Sequence, residues 1–298
     1  MIQTKALIRQ LNKNKIHFFT GVPDSILKSL SPYFEKNKKN HIIAVNEGNA
    51  VAIAAGYHLS TKKLPCVYLQ NSGLGNAINP LASITHSKVY SIPMLLLIGW
   101  RGSPNLKDEP QHKVKGGITR KLLKLLGIKY CIIKTEKDLG KLNSIIKFSK
   151  NKNKTVACLI TNKVLSSNIK TKKKENKINL KRIDIINEIV RNIKAKSNII
   201  ATTGFTSREL MEVRKNKKLN KGKDFYMVGG MGHSAALSLG VSLNTKKNTV
   251  CLDGDGSILM PLGSMATIGF FSNKNFKHIL FNNNAHESVG GQTTYARK

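Results

Sequence analysis

The sequence predicts an α/β fold built from two doubly wound parallel-sheet domains, and two observations carry that reading. Short β-rich runs alternate with longer helix-like stretches along the chain, and most of those runs are apolar on both faces, as strands covered by helices on each side must be. A polar stretch rich in Lys and Asn interrupts the alternation past the midpoint, after which it resumes. At 298 residues the chain has the length of about two domains of ~150 residues each.

In the first half, 17–20, 42–45, 65–70, 93–99, 129–133 and 156–160 read as strands, with helical segments over 25–34, 48–59, 75–85 and 119–126. These form the domain 1–165. Residues 166–181 hold the Lys/Asn-rich linker. The second domain, 182–298, opens with an amphipathic helix over 183–193. Strands follow at 198–201, 225–228, 249–252 and 278–281, with helices near 207–215, 232–243 and 262–271. This second sheet stops shortly after Gly290-Gly291 without a further helix and strand, so it is expected to be C-terminally incomplete, a truncated sheet.

With 40% apolar residues, a disordered or collagen-like polymer is excluded. The longest apolar run, Ile92 to Trp100, falls far short of the roughly 20 residues of a membrane-spanning helix, and Met1–Lys15 carries charges where a signal peptide is apolar. A cytoplasmic protein without a membrane partner is expected. Cys66, Cys131, Cys158 and Cys251 show no C-x-x-C spacing and read as reduced core residues rather than a disulfide framework or a thiolate metal site.

The formal charge of +34 comes from 50 basic and 16 acidic residues. Only eight of the cations are Arg, and the lysines fall in Asn- and Ile-rich runs such as 36–40, 150–154 and 170–177. Nucleic-acid readout favours forked Arg contacts and stacking aromatics, and neither is concentrated there. Solvated lysine faces are the preferred reading. A noncatalytic basic nucleic-acid-binding protein is the alternative from another class, marked by strongly salt-dependent binding.

The most informative stretch is Asp253-Gly254-Asp255-Gly256-Ser257, followed after one helix by Asn282-Asn283-Asn284-Ala285. A strand leads into each. Ligands of doubly wound sheets bind at strand C-terminal ends, so Asp255 and Asn283 can offer oxygens to one hard cation holding a phosphate, with Gly254 and Gly256 letting backbone approach it. Two ordinary glycine turns are the plainer alternative. Glu47 begins a helix directly after a strand, where a carboxylate is favoured by the helix dipole alone. Gly229-Gly230-Met231-Gly232 reads as a glycine helix entry with a core methionine. Two further patterns fail. Gly73-Leu74-Gly75-Asn76-Ala77-Ile78 lacks the last small residue and the later acid of a dinucleotide fingerprint, and His286-Glu287 has no second histidine at helical spacing.

Together, Gly254-Asp255-Gly256 through Asn282-Asn283, Glu47 with Gly48-Asn49-Ala50, and Gly229 to Gly232 resemble the motifs of the thiamine-diphosphate-dependent decarboxylases. The resemblance implies domains of thiamine-diphosphate-binding type. It assigns Asp255, Asn283 and the Ala285 carbonyl to Mg2+, and Gly254, Gly256 and Ser257 to the diphosphate. Met231 becomes the wedge between the cofactor rings, and Gly229 the acceptor for the exocyclic amine. Glu47 becomes the partner of the aminopyrimidine that promotes loss of the thiazolium C2 proton.

Only 208 positions separate Glu47 from Asp255, which leaves no room for a middle domain. That points to the small branch acting on phosphonopyruvate or sulfopyruvate. Thr20 to Ser25, Trp100-Arg101-Gly102, Lys107 to His112 and Ala285 to Gln292 also resemble that branch, with Asn282 in place of an aspartate and Val289 in place of a threonine. The implied activity is decarboxylation of 3-phosphonopyruvate to phosphonoacetaldehyde and CO2 in phosphonate metabolism, sulfopyruvate being the alternative. The implied assembly is a homo-oligomer, at least a dimer, with active sites between subunits. Asp24 and His112, expected on loops after strands, are candidate acids and bases; their alternatives are a helix N-cap and a surface histidine. Arg101, Lys107 and His112 are candidates to bind the small anionic 2-oxo acid, or Arg101 instead pairs with Asp108 or Glu109.

Overall fold

The structure, a computed structural model, describes residues 1–104, 106–166, 180–194, 196–216 and 223–296. The chain divides into two units, Met1–Lys172 and Lys173–Lys298.

In the first unit the strands are β1 (Ile2–Gln3), β2 (Phe19–Gly21), β3 (His41–Ile43), β4 (Cys66–Gln70), β5 (Leu95–Trp100), β6 (Lys129–Ile133), β7 (Val156–Thr161) and β8 (Leu165–Ser166). Six of them form one parallel sheet in the order β3-β2-β4-β5-β7-β6, while β1 and β8 pair separately. All six residues of β5 and all six of β7 are buried. Their alternate side chains feed two cores, as the two-residue period of a strand requires. Leu95, Leu97, Cys158 and Ile160 pack on one face with Leu7, Leu11 and Ile146; Leu96, Ile98, Ala157 and Leu159 pack on the other with Val51, Ala54 and Leu123. The unbroken apolar runs in the sequence are therefore central strands between two helical layers.

The second unit contains β9 (Asn198–Ala201), β10 (Phe225–Tyr226), β11 (Thr249–Gly254) and β12 (Phe276–Phe281) in a parallel sheet ordered β10-β9-β11-β12. A short antiparallel pair follows, β13 (Ala285–His286) with β14 (Gln292–Thr293). Ile199, Ala201, Val250 and Leu252 pack against the helices Arg182–Asn192 and Phe205–Asn216. On the other face Cys251 packs with Ala235, Leu239 and Ile268.

Several expected elements shift. The helix expected over 119–126 runs over Pro110–Leu125, because Pro110 occupies a first-turn position that its fixed φ suits. The helix expected over 25–34 is a 3-10 turn at Lys28–Leu30 followed by a helix over Ser31–Lys36, with Pro32 at its start. Helices over Thr4–Lys13 and Leu139–Lys152 have no counterpart in the sequence reading, although Leu7, Ile8 and Leu11, and likewise Leu142, Ile145 and Ile146, form buried helical faces. Of the expected linker, 167–179 lies outside the described residues. No helix among the described residues is long and apolar enough to cross a membrane.

Candidate active-site residues

In the first unit the polar groups collect at the C-terminal ends of β2, β4 and β5. Asp24 follows β2 and is buried; its Oδ2 accepts from Leu27 N at 3.0 Å, as an N-cap would, and its Oδ1 accepts from Gln70 Nε2 at 2.8 Å. Burial pushes its pKa up, opposed by the Gln70 and backbone hydrogen bonds and by Arg101. Gly99 makes this seat possible, since a Cβ there would fall 1.9 Å from Asp24 Oδ2.

Glu47 is the first residue of the helix Glu47–Thr61, whose N-cap Asn46 accepts from Asn49 N at 2.9 Å. The carboxylate is 4% exposed, its Oε2 accepts from Asn76 Nδ2 at 2.8 Å, and burial raises its pKa. A Cβ on Gly73 would lie 1.8 Å from its Oε1. An acid seated this tightly, with one side-chain donor, suits a group that holds a proton rather than a surface charge at a helix start.

Arg101 directly follows β5, and Asn71 pins it there by accepting from Arg101 N and donating to Arg101 O, both at 2.9 Å. Arg101 Nε donates to both Asp108 oxygens, at 3.1 and 2.9 Å, Nη2 also reaches Asp108, and Nη1 points to Ser25 Oγ at 3.4 Å. The expected alternative of an ion pair with Asp108 is therefore what the fold shows. That pair holds the Asp108 carboxyl well below its ordinary range. His112 is corrected from a loop to the first turn of the helix Pro110–Leu125, since Pro110 starts that helix two residues earlier. Its Nδ1 is buried without a hydrogen-bond partner, and burial, with Arg101 nearby, lowers its pKa. Asp24, Arg101 and His112 thus form one charge cluster; Lys107 is exposed.

In the second unit β11 and β12 pair from Thr249–Phe276 to Gly254–Phe281, so Asp255 and Asn283 emerge at neighbouring C-terminal ends. Asp255 is buried and accepts from Thr294 Oγ1; Asn283 Oδ1 accepts from Ala285 N at 3.0 Å. Carbonyl and carboxylate oxygens retain further lone pairs after one such bond. Ser257 ties the site together, with Oγ 3.1 Å from Thr202 Oγ1 and accepting from Gly232 N at 3.1 Å. Gly230 and Gly232 adopt positive φ, +66° and +94°, which opens the turn that carries Met231. A Cβ on Gly256 would lie 2.8 Å from His286 Nδ1 and 3.4 Å from Met231 Cε, so glycine keeps that approach clear. The donor set of carboxylate, amide and backbone oxygens is that of a hard divalent cation such as Mg2+, and these residues fit a metal-bound diphosphate.

Gln70, Asn71, Asn76, Ser25 and Thr294 escaped the sequence reading as supports of these groups. The signal was present for three of them: Gln70-Asn71-Ser72-Gly73 is a polar run directly after an apolar strand, with Asn76 one turn on.

Both units match the thiamine pyrophosphate enzyme family: residues 1–123 match its N-terminal and residues 202–298 its C-terminal thiamine pyrophosphate-binding domain. The chain belongs to this family, among its decarboxylases. It is 33% identical to a phosphonopyruvate decarboxylase of Streptomyces viridochromogenes over 99% of this chain and 77% of that one. A phosphonopyruvate decarboxylase of Streptomyces hygroscopicus is 30% identical over 99% and 76%. A sulfopyruvate decarboxylase of Methanosarcina acetivorans is 28% identical over 97% and 78%. The family supplies the cofactor, thiamine diphosphate, and nothing supports nucleic-acid binding.

Proposed function

We propose that the protein decarboxylates 3-phosphonopyruvate to phosphonoacetaldehyde and CO2. The observation that carries this reading is 33% identity to a phosphonopyruvate decarboxylase along 99% of the chain. When bound, thiamine diphosphate supplies the nucleophilic carbon and the electron sink of the reaction. Asp255, Asn283 and the Ala285 carbonyl would hold Mg2+. Gly254, Gly256 and Ser257 would line the diphosphate, Gly229 would accept from the ring amine, and Met231 would support the rings.

Glu47, kept protonatable by burial, would hold a proton at its carboxyl where the aminopyrimidine would bind. Asp24, also raised, and His112, whose Nδ1 has no partner, hold or deliver protons beside the substrate carbon. Arg101 would grip the phosphonate with the Nη1 edge that Asp108 leaves, while exposed Lys107 attracts the anion at longer range. Asp108 thereby acts as a positioning residue that fixes the guanidinium plane. The reading includes a homo-oligomer, at least a dimer, whose active sites take Glu47 and Asp255 from different subunits. It also includes a cytoplasmic location, for which four cysteines without a disulfide are suited.

Aldehyde release from phosphonopyruvate, sulfopyruvate and pyruvate tests the assignment. The expected order of kcat/KM puts phosphonopyruvate first, and Arg101→Ala should raise KM for it far more than for pyruvate. A preference for sulfopyruvate, supported by the Methanosarcina relative, would replace the substrate.

A further inference from the structure

Along β11, just before Asp255, lies a group of side chains with no role in the chemistry above. Cys251 stands opposite His278 across the β11–β12 pair, and Asp253, two residues along β11, shares the face of Cys251. The Cys251 thiol, one Asp253 oxygen and a ring nitrogen of His278 all lie within 4.8 Å of one another. The closest pair, His278 Nε2 and Asp253 Oδ2, is 3.3 Å apart. Ligand atoms around a tetrahedral metal with bonds of roughly 2.0–2.3 Å sit about 3.3–3.7 Å apart, so that pair already has metal-spanning separation and the thiol is within about an ångström of it.

A second observation points to a ligand. Ser234 Oγ, at the start of the helix Ser234–Leu243, is wholly buried, makes no hydrogen bond at normal length, and lies against both Cys251 and Asp253. Cys251 and Asp253 are buried, whereas the His278 side chain is 13% exposed and offers the route in.

We propose that Cys251, Asp253 and His278 form a zinc-class metal site, with Ser234 Oγ lining its fourth position. Sulfur and imidazole nitrogen select a borderline-soft ion, in contrast to the all-oxygen set at Asp255. Binding forms one metal–sulfur bond, and the thiol proton leaves to solvent. The site would clamp β11 to β12, the two strands whose ends carry Asp255 and Asn283, and so hold the cofactor residues in register without touching the substrate.

Cobalt(II) is the probe, because cobalt bound to thiolate absorbs in the near ultraviolet whereas cobalt on oxygen ligands does not. Metal-stripped protein is loaded with thiamine diphosphate and excess Mg2+, which fills the oxygen site, and then titrated with Co2+. We expect one equivalent to bind with a thiolate band. Cys251→Ser should abolish the band, and His278→Gln should weaken binding by at least about tenfold. Absence of the band in folded wild type, its survival in Cys251→Ser, or unchanged affinity in His278→Gln each overturns the site and leaves a thiol packed beside an ion pair. Should Cys251→Ser fail to fold, the His278→Gln affinity decides alone.

Discussion

In its proposed role, Glu47 would serve chemistry at the expense of stability. Its folded pKa is raised by burial, so the fold binds its proton more tightly than the unfolded chain does. That contribution is complete below the unfolded value and is lost as pH rises through the folded one. Glu47→Gln keeps the shape without the charge. The variant should therefore melt above wild type at pH 8, with the gap closing toward pH 4, while turnover falls by roughly 10²-fold or more. Calorimetry at the two pH values and cofactor C2–deuterium exchange check the two halves; a variant less stable at pH 8 with normal exchange would remove the assigned role. Gly73 leaves the space that the Glu47 carboxylate occupies, since a Cβ there would displace it.

At the scale of elements, the helix Pro110–Leu125 contains two adjacent glycines with opposite meanings. A Cβ on Gly116 would lie 1.7 Å from Gly102 O, whereas Gly117 has nothing within 4 Å. Gly116→Ala should destabilise the protein by roughly 1–3 kcal/mol through overpacking, while Gly117→Ala should stabilise it by up to about 1 kcal/mol through helix propensity. Urea midpoints of the two variants, moving in opposite directions, are the expected result. This pair also explains what sequence could and could not reveal. Strands such as β5 and β7 were legible because burial on both faces leaves an unbroken apolar run. The helix start at Pro110 was hidden because Gly116-Gly117 reads as a break, and only the facing Gly102 backbone shows why glycine stands there. Asp255 and Asn283 stand out as candidates in the sequence because each lies just beyond an apolar strand run, and Glu47 because of the motif it shares with the family; Thr294 does not, because its partner Asp255 is 39 residues away.

For the whole molecule, cofactor and metal should act on the fold by mass action. Thiamine diphosphate with Mg2+ should raise the melting temperature, by the equivalent of about 2.7 kcal/mol at a hundredfold excess over Kd. Asp255→Ala and Asn283→Ala should each abolish most of that gain, as thermal shift measurements would show. Unchanged stabilisation in both would remove the metal assignment. Mixing Glu47→Gln with Asp255→Ala protein under subunit exchange should restore part of the activity, because one intact constellation re-forms. No recovery in demonstrated mixed oligomers would put each site within a single chain. The charge of +34 adds a kinetic expectation: kcat/KM for the anionic substrate should fall as salt rises.

The strand order of the first unit also bears on how the protein is made. β7 is the last of the six main strands to be synthesised, yet it inserts between β5 and β6. Until Val156–Thr161 has left the ribosome, β6 has no neighbour and β5 lacks one, so roughly half of the apolar sheet waits with open edges for a segment far along the chain. Ribosome-bound chains ending before Val156 should accordingly be open to protease throughout the first unit, and chains extended well past Thr161 should acquire resistance in a single step rather than strand by strand.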